Sequence, residues 1–197
     1  MKFEIEKRGD KAAVFTPYNK EFVAKMRQMG GKWDGEAWIV PADVIESVRE
    51  AMQESFRRDD RPCDTIDIEL TADGVAKYCD TLFGLPTFQA TGRDSGAWIP
   101  KGMEDVVSVL SGKVSSGGSL KNWFVGMWDG TRILMRGVPK KAVEERFDCL
   151  TNLEIKVVRE HNADPRAALL EEKAALEARL AEIERILDGE EGENKNA

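Results

Sequence analysis

Histidine is nearly absent from the 197 residues, and cysteine is scarce: His161 stands alone, with Cys63, Cys79 and Cys149. With a single histidine, a multi-histidine metal site and a histidine-based triad are both read as excluded, and His161 is expected to lie exposed in a linker. The three cysteines are odd in number and separated by 15 and 69 residues, so they form no CxxC pair or zinc spacing and are read as reduced thiols. No run approaches the roughly 20 uncharged apolar residues that cross a bilayer. The opening Met1-Lys2-Phe3-Glu4-Ile5-Glu6-Lys7-Arg8 lacks the apolar stretch of a signal peptide. The expectation is a soluble, cytoplasmic protein with no membrane partner. No Walker motif or GxGxxG is present, and no pair of carboxylates is spaced for acid–base work, since Asp94 beside Arg93 reads as that arginine's orienting partner. No catalytic residue, metal or cofactor is therefore expected, and the chain reads as a non-enzymatic binding protein.

What is present suits a folded α+β protein: 42% hydrophobic and 33% charged residues. Of the net charge of −7, residues 164–197 carry −5, with five Lys/Arg against ten Asp/Glu. The remainder is almost neutral, so any nucleic-acid site must be a local patch rather than a broad basic surface.

Residues 1–56 read as a small α/β module. A strand at Phe3–Glu6, a turn at Gly9-Asp10 and a strand at Ala12–Thr16 precede a helix capped by Asn19, with Phe22, Val23, Met26 and Met29 on one face. Asp34-Gly35 predicts a hairpin, and Pro41 stops its second strand before a helix from Ala42 to about Phe56. The charged, proline-bearing stretch 57–64 has the composition of a linker. Beyond it, 65–160 reads as a strand-rich second domain, with strands near 66–70, 87–91, 106–114, 123–128, 131–136 and 153–158. Helices are expected at 74–82 and 140–147. Trp33-Asp34-Gly35 and Trp128-Asp129-Gly130 each lead through a strand to Val-Pro and a helix, an echo read as shared turn chemistry. Asp164-Pro165 opens a glycine-free helix over 164–188. Its Leu169, Leu176, Leu180, Ile183 and Leu187 form a seam suited to a coiled coil, which predicts a homo-oligomer, and 189–197 is expected to be a disordered acidic tail.

Two patterns could bind ligand. Around the first helix and hairpin, Tyr18, Lys20, Lys32, Trp33 and Trp38 mix cations with aromatics as a single-strand surface does, although helix cations are ordinarily a solvated face and one tryptophan is expected in the core. In the second domain, Gly92-Arg93-Asp94-Ser95 and Ser116-Gly117-Gly118-Ser119-Leu120-Lys121-Asn122-Trp123 combine glycine amides, hydroxyls, cations and an indole, a set able to hold a phosphate and a base. The plainer reading is two turns.

Val14-Phe15-Thr16-Pro17-Tyr18-Asn19-Lys20-Glu21-Phe22, Gly31-Lys32-Trp33-Asp34 and Trp38-Ile39-Val40-Pro41 resemble the HARP-type modules found beside the helicase domains of fork-remodelling, strand-annealing proteins. The resemblance covers about residues 12–52. It implies a small module that binds DNA junctions or protein partners through Tyr18, Lys32, Trp33 and Trp38. The second domain resembles uncharacterised proteins of phages and mobile elements, a likeness that carries no activity. The expected function is binding of single-stranded or branched nucleic acid by an oligomer. The alternative is a phage-type protein that sequesters a nucleotide, or inhibits a defence system, through a phosphate-containing ligand in the second domain. An inhibitor using the acidic tail as a nucleic-acid mimic is a third reading.

Overall fold

Asn19 starts the first helix: its Oδ1 accepts from the amides of Glu21 and Phe22, both at 3.0 Å, and so satisfies two donors that a helix N-terminus leaves open. The computed structural model describes residues 1–163 and, beyond them, Lys173, Leu176, Arg179 and Leu180. In it β1 (Glu4–Arg8) and β2 (Lys11–Phe15) form a hairpin, and α1 (Lys20–Gln28) buries Phe22 and Met26. A second hairpin joins β3 (Lys32–Trp33) to β4 (Trp38–Pro41), closed by Asp34 Oδ1 accepting the amides of Glu36 and Ala37. These strands make an antiparallel sheet in the order β1-β2-β4-β3. A 3-10 turn at Ala42–Val44 leads into α2 (Ile45–Phe56), which buries Val48, Met52 and Phe56.

The following segment begins with β5 (Thr65–Ala72), whose alternate residues Ile66, Ile68, Leu70 and Ala72 are buried. Short pieces follow, β6 (Ala76–Lys77), β7 (Thr81–Leu82) and β8 (Leu85–Pro86), then β9 (Val107–Ser111), β10 (Val114–Gly118), β11 (Trp123–Met127) and β12 (Arg132–Pro139). A short α3 (Lys140–Glu144) and β13 (Leu153–His161) complete it. Two antiparallel sheets result, β13-β5-β12-β9 and β10-β11-β6, with β7 and β8 paired apart from them. The class is α+β.

Four expectations change. The helix expected at 74–82 is replaced by β6 and β7: Gly74 and Tyr78 have φ of 73° and 64°, which an α-helix does not admit, and Ala76 and Lys77 pair with Met127 and Gly126. The strand expected at 87–91 reduces to one bridge between Gln89 and Trp98. The stretch 57–64 does not separate two domains. Met1–His161 is one compact unit, and one hydrophobic cluster takes in Val14, Phe22 and Phe56 together with Ile68, Leu85 and Met135. Two of the charges that gave 57–64 the composition of a linker are tied down: Asp59 is buried and held by Arg61, while Arg49 of α2 binds both oxygens of Asp60 at 2.8 and 3.0 Å. His161 sits in β13 opposite Thr65, with Nε2 3.1 Å from Asp67, rather than exposed in a linker.

The Trp-Asp-Gly echo is turn chemistry: Asp34-Gly35 joins paired strands, whereas Asp129-Gly130 links β11 and β12 in different sheets. In the second unit, Asn162–Ala197, the described Lys173, Leu176, Arg179 and Leu180 are helical and exposed. Leu169, Ile183, Leu187 and the tail 189–197 lie outside the described residues. No helix among the described residues is long and apolar enough to cross a membrane.

Candidate nucleic-acid interface

An antiparallel sheet with one face in the core ordinarily turns polar side chains to water. The sheet β10-β11-β6 does otherwise. Its inner face carries the buried Val125, Met127, Ser116 and Ala76. Register places Phe124 opposite Gly117 and Gly126 opposite Lys77, so the outer face presents Phe124, Gly126, Gly117 and Lys77, continued by Trp128 just past the end of β11. Tyr78, immediately after β6 and 60% exposed, joins them.

The rings form a row. Tyr78 and Phe124 have centroids 5.8 Å apart, and Phe124 and Trp128 6.3 Å apart. The two glycines are the floor of this row. A Cβ on Gly126 would meet the Phe124 ring at 3.0 Å, and one on Gly117 would meet Trp128 at 3.2 Å and Phe124 at 3.4 Å. Lysines stand at both margins, Lys77 with Nζ 5.3 Å from the Phe124 centroid and Lys113 6.0 Å from that of Trp128. Neither lysine is ion-paired among the described residues. The rings are tilted to one another by 56° and 72°, with Tyr78 exposed and Phe124 and Trp128 half-buried, so the row offers aromatic faces and edges beside two lysines, groups that can stack bases and neutralise phosphates.

The residues singled out in the sequence divide differently. Tyr18, Trp33 and Trp38 come together beside the first helix, with Trp33 and Trp38 centroids 5.7 Å apart, joined by Arg27. Trp38 is the core tryptophan, 8% exposed, and Trp33 the open one. Lys20 lines a separate hollow with Asp80 and Asp148, and Lys32 another with Asp10 and Val40, so neither belongs to the aromatic group.

The proposed phosphate cradle is occupied by its own loop. Ser95 Oγ accepts from the amides of Thr91 and Gly92 and donates to the Gly92 carbonyl, the Ser95 amide donates to Ser116 Oγ at 3.0 Å, and Arg93 is paired with Asp94 at 2.7 Å. Ser119 Oγ accepts the Asn122 amide and closes the hairpin tip, leaving Lys121 and Trp123 exposed at its edge. Gly117 serves the aromatic floor. These loops are turns whose polar groups satisfy one another.

No family model, curated protein or solved structure matches this chain.

Nucleophilic chemistry has no support in the thiols. Burial pushes Cys79 up to about 11 and raises Cys63 and Cys149 as well, which keeps them protonated near neutrality. Among the described residues no group of His, Cys, Asp or Glu is placed to hold a metal ion. Tyr78, Phe124, Trp128, Lys77 and Lys113 were missed in the sequence. The available signal was the alternation Phe124-Gly126-Trp128 against Val125-Met127, two aromatics and a glycine on one side and aliphatics on the other.

Proposed function

We propose that this protein is a non-enzymatic, oligomeric binder of single-stranded nucleic acid, and that the strand runs across the outer face of β10-β11-β6. The observation that carries the reading is the Tyr78–Phe124–Trp128 row on the outer face of the sheet, with a lysine at either margin. Bases stack on Tyr78 and Trp128, while Phe124 packs on its glycine floor between them. Lys77 and Lys113 swing from the rings to the phosphates. Backbone contact through two lysines on an acidic chain gives modest affinity and little sequence preference. The heptad-spaced leucines of 164–188 raise it by presenting several faces to one strand. The resemblance of residues 12–52 to HARP-type modules points to nucleic acid by a separate route and adds branched DNA to the substrates worth comparing.

The test is fluorescence anisotropy with a labelled pyrimidine oligonucleotide of about 12 nucleotides, within the usual range of roughly 4–16 per single-strand site, against a duplex of the same length and a three-way junction. Saturable binding that prefers the single strand over the duplex supports the reading. Equal, weak binding to all three overturns it.

A further inference from the structure

A second aromatic site lies away from the sheet face. Thr16-Pro17-Tyr18 connects β2 to α1, and between this connection, α1 and the β3–β4 hairpin is a cavity of about 340 Å³ lined by Pro17, Tyr18, Val23, Arg27, Trp33 and Trp38. That is near the lower end of the ~300–1,000 Å³ typical of small-molecule sites, the scale of one planar ligand rather than a chain. Its walls differ in exposure: Trp38 is more than nine-tenths buried, while Tyr18 and Trp33 are 63% and 53% exposed. Arg27 follows Val23 by one helical turn, and its guanidinium makes no hydrogen bond or ion pair with the described residues. A free, permanently charged fork at an aromatic slot selects a ligand that is flat and apolar at one end and anionic at the other.

We propose that this hollow binds a single nucleotide, with its base held between Tyr18 and Trp33 against Trp38 and its phosphate on Arg27. This goes beyond the sheet-face reading and shares no residue with it. The ligand chemistry, a base carrying a phosphate monoester, occurs both in a free nucleoside monophosphate and at the phosphorylated end of a strand.

The test uses full-length protein and ligand-observed saturation-transfer NMR with AMP and UMP, alongside adenosine and inorganic phosphate as the separate halves. Binding of AMP at least about tenfold tighter than of adenosine is expected from the Arg27–phosphate pair. Trp33→Leu and Arg27→Glu, both at exposed positions, should abolish AMP transfer, while Tyr78→Ala/Trp128→Ala keeps it and loses oligonucleotide binding. A terminally phosphorylated oligonucleotide that displaces AMP better than its unphosphorylated twin supports the site at strand ends. Equal, poor displacement by both supports it as a site for free nucleotide. No AMP transfer in the wild type, or transfer unchanged in Trp33→Leu and Arg27→Glu, overturns the proposal and leaves the sheet-face reading to its own titration.

Discussion

The Asn19 side chain donates through Nδ2 to the carbonyl oxygen of Gly84 at 3.0 Å, across 65 positions of sequence, while its Oδ1 caps α1. One buried amide therefore both begins a helix of the first segment and anchors it to the second. This bond, with the shared core, makes Met1–His161 a single unit. Asn19→Ala loses the cap and leaves the Gly84 carbonyl without its donor, for an expected cost of about 2–3 kcal/mol. Asn19→Ser keeps a capping oxygen and loses only the bridge, at about 1 kcal/mol. Urea unfolding followed by circular dichroism separates the two, and one cooperative transition for Met1–His161 is expected in both.

Gly84 is constrained from the other side as well. Its φ is +75°, and a Cβ there would stand 2.2 Å from the Ser55 carbonyl oxygen and 3.2 Å from the Phe56 Cα, both backbone atoms that cannot swing aside. Gly74 has a similar φ of +73° with open space around it. Gly84→Ala should cost more than about 3 kcal/mol and Gly74→Ala about 1 kcal/mol. Thermal melts of the two variants side by side isolate the steric part from the backbone part.

Asp148 gives the fold a pH signature. Partial burial pushes its carboxyl up to about 6, with Glu21 and Asp80 adding repulsion and the Gly84 amide partly opposing them. Its folded value lies above the ordinary 3.8, so between about pH 4 and 6 the folded state holds more protons than the unfolded one and Asp148 costs stability as pH rises through that window. Asp148→Asn keeps an acceptor for the Gly84 amide and removes the charge. The stability gained by this variant over wild type should be near zero at pH 4, grow to pH 6 and stay level above it, read from urea midpoints at each pH.

The proposed self-association is testable at Leu176 and Leu180, both helical and more than half exposed. Leu176→Glu/Leu180→Glu should convert an oligomer into a monomer in analytical ultracentrifugation, with the melting of Met1–His161 unchanged. Oligonucleotide binding by the same variant should weaken through lost avidity rather than vanish.

Local signals in the sequence were legible where one residue decides the geometry: the Asn19 cap, the Asp34-Gly35 hairpin and the alternation of Thr65–Ala72. They failed where a distant partner decides it. Val75, Tyr78, Cys79 and Leu82 have helical spacing, but Ala76 and Lys77 are claimed by β11, and Tyr78 turns outward at positive φ. The aromatic face depends on Gly117 lying opposite Phe124, a register that no single stretch displays. Ser95 and Ser116 lie 21 positions apart and bond each other only once the fold brings their loops together, and Arg27 meets Trp33 only through the β3–β4 hairpin.

The most direct test of the sheet face as a single-strand platform is an anisotropy titration of a labelled pyrimidine oligonucleotide over a series of salt concentrations. It compares wild type, Tyr78→Ala and Lys77→Glu/Lys113→Glu. Tyr78→Ala should weaken binding at every salt concentration by an amount corresponding to about 1–3 kcal/mol of lost stacking. Lys77→Glu/Lys113→Glu should weaken it most at low salt and flatten the dependence of log K on log salt, by about 0.7 per phosphate contact removed. Affinity and salt slope equal to wild type in both variants would contradict the account.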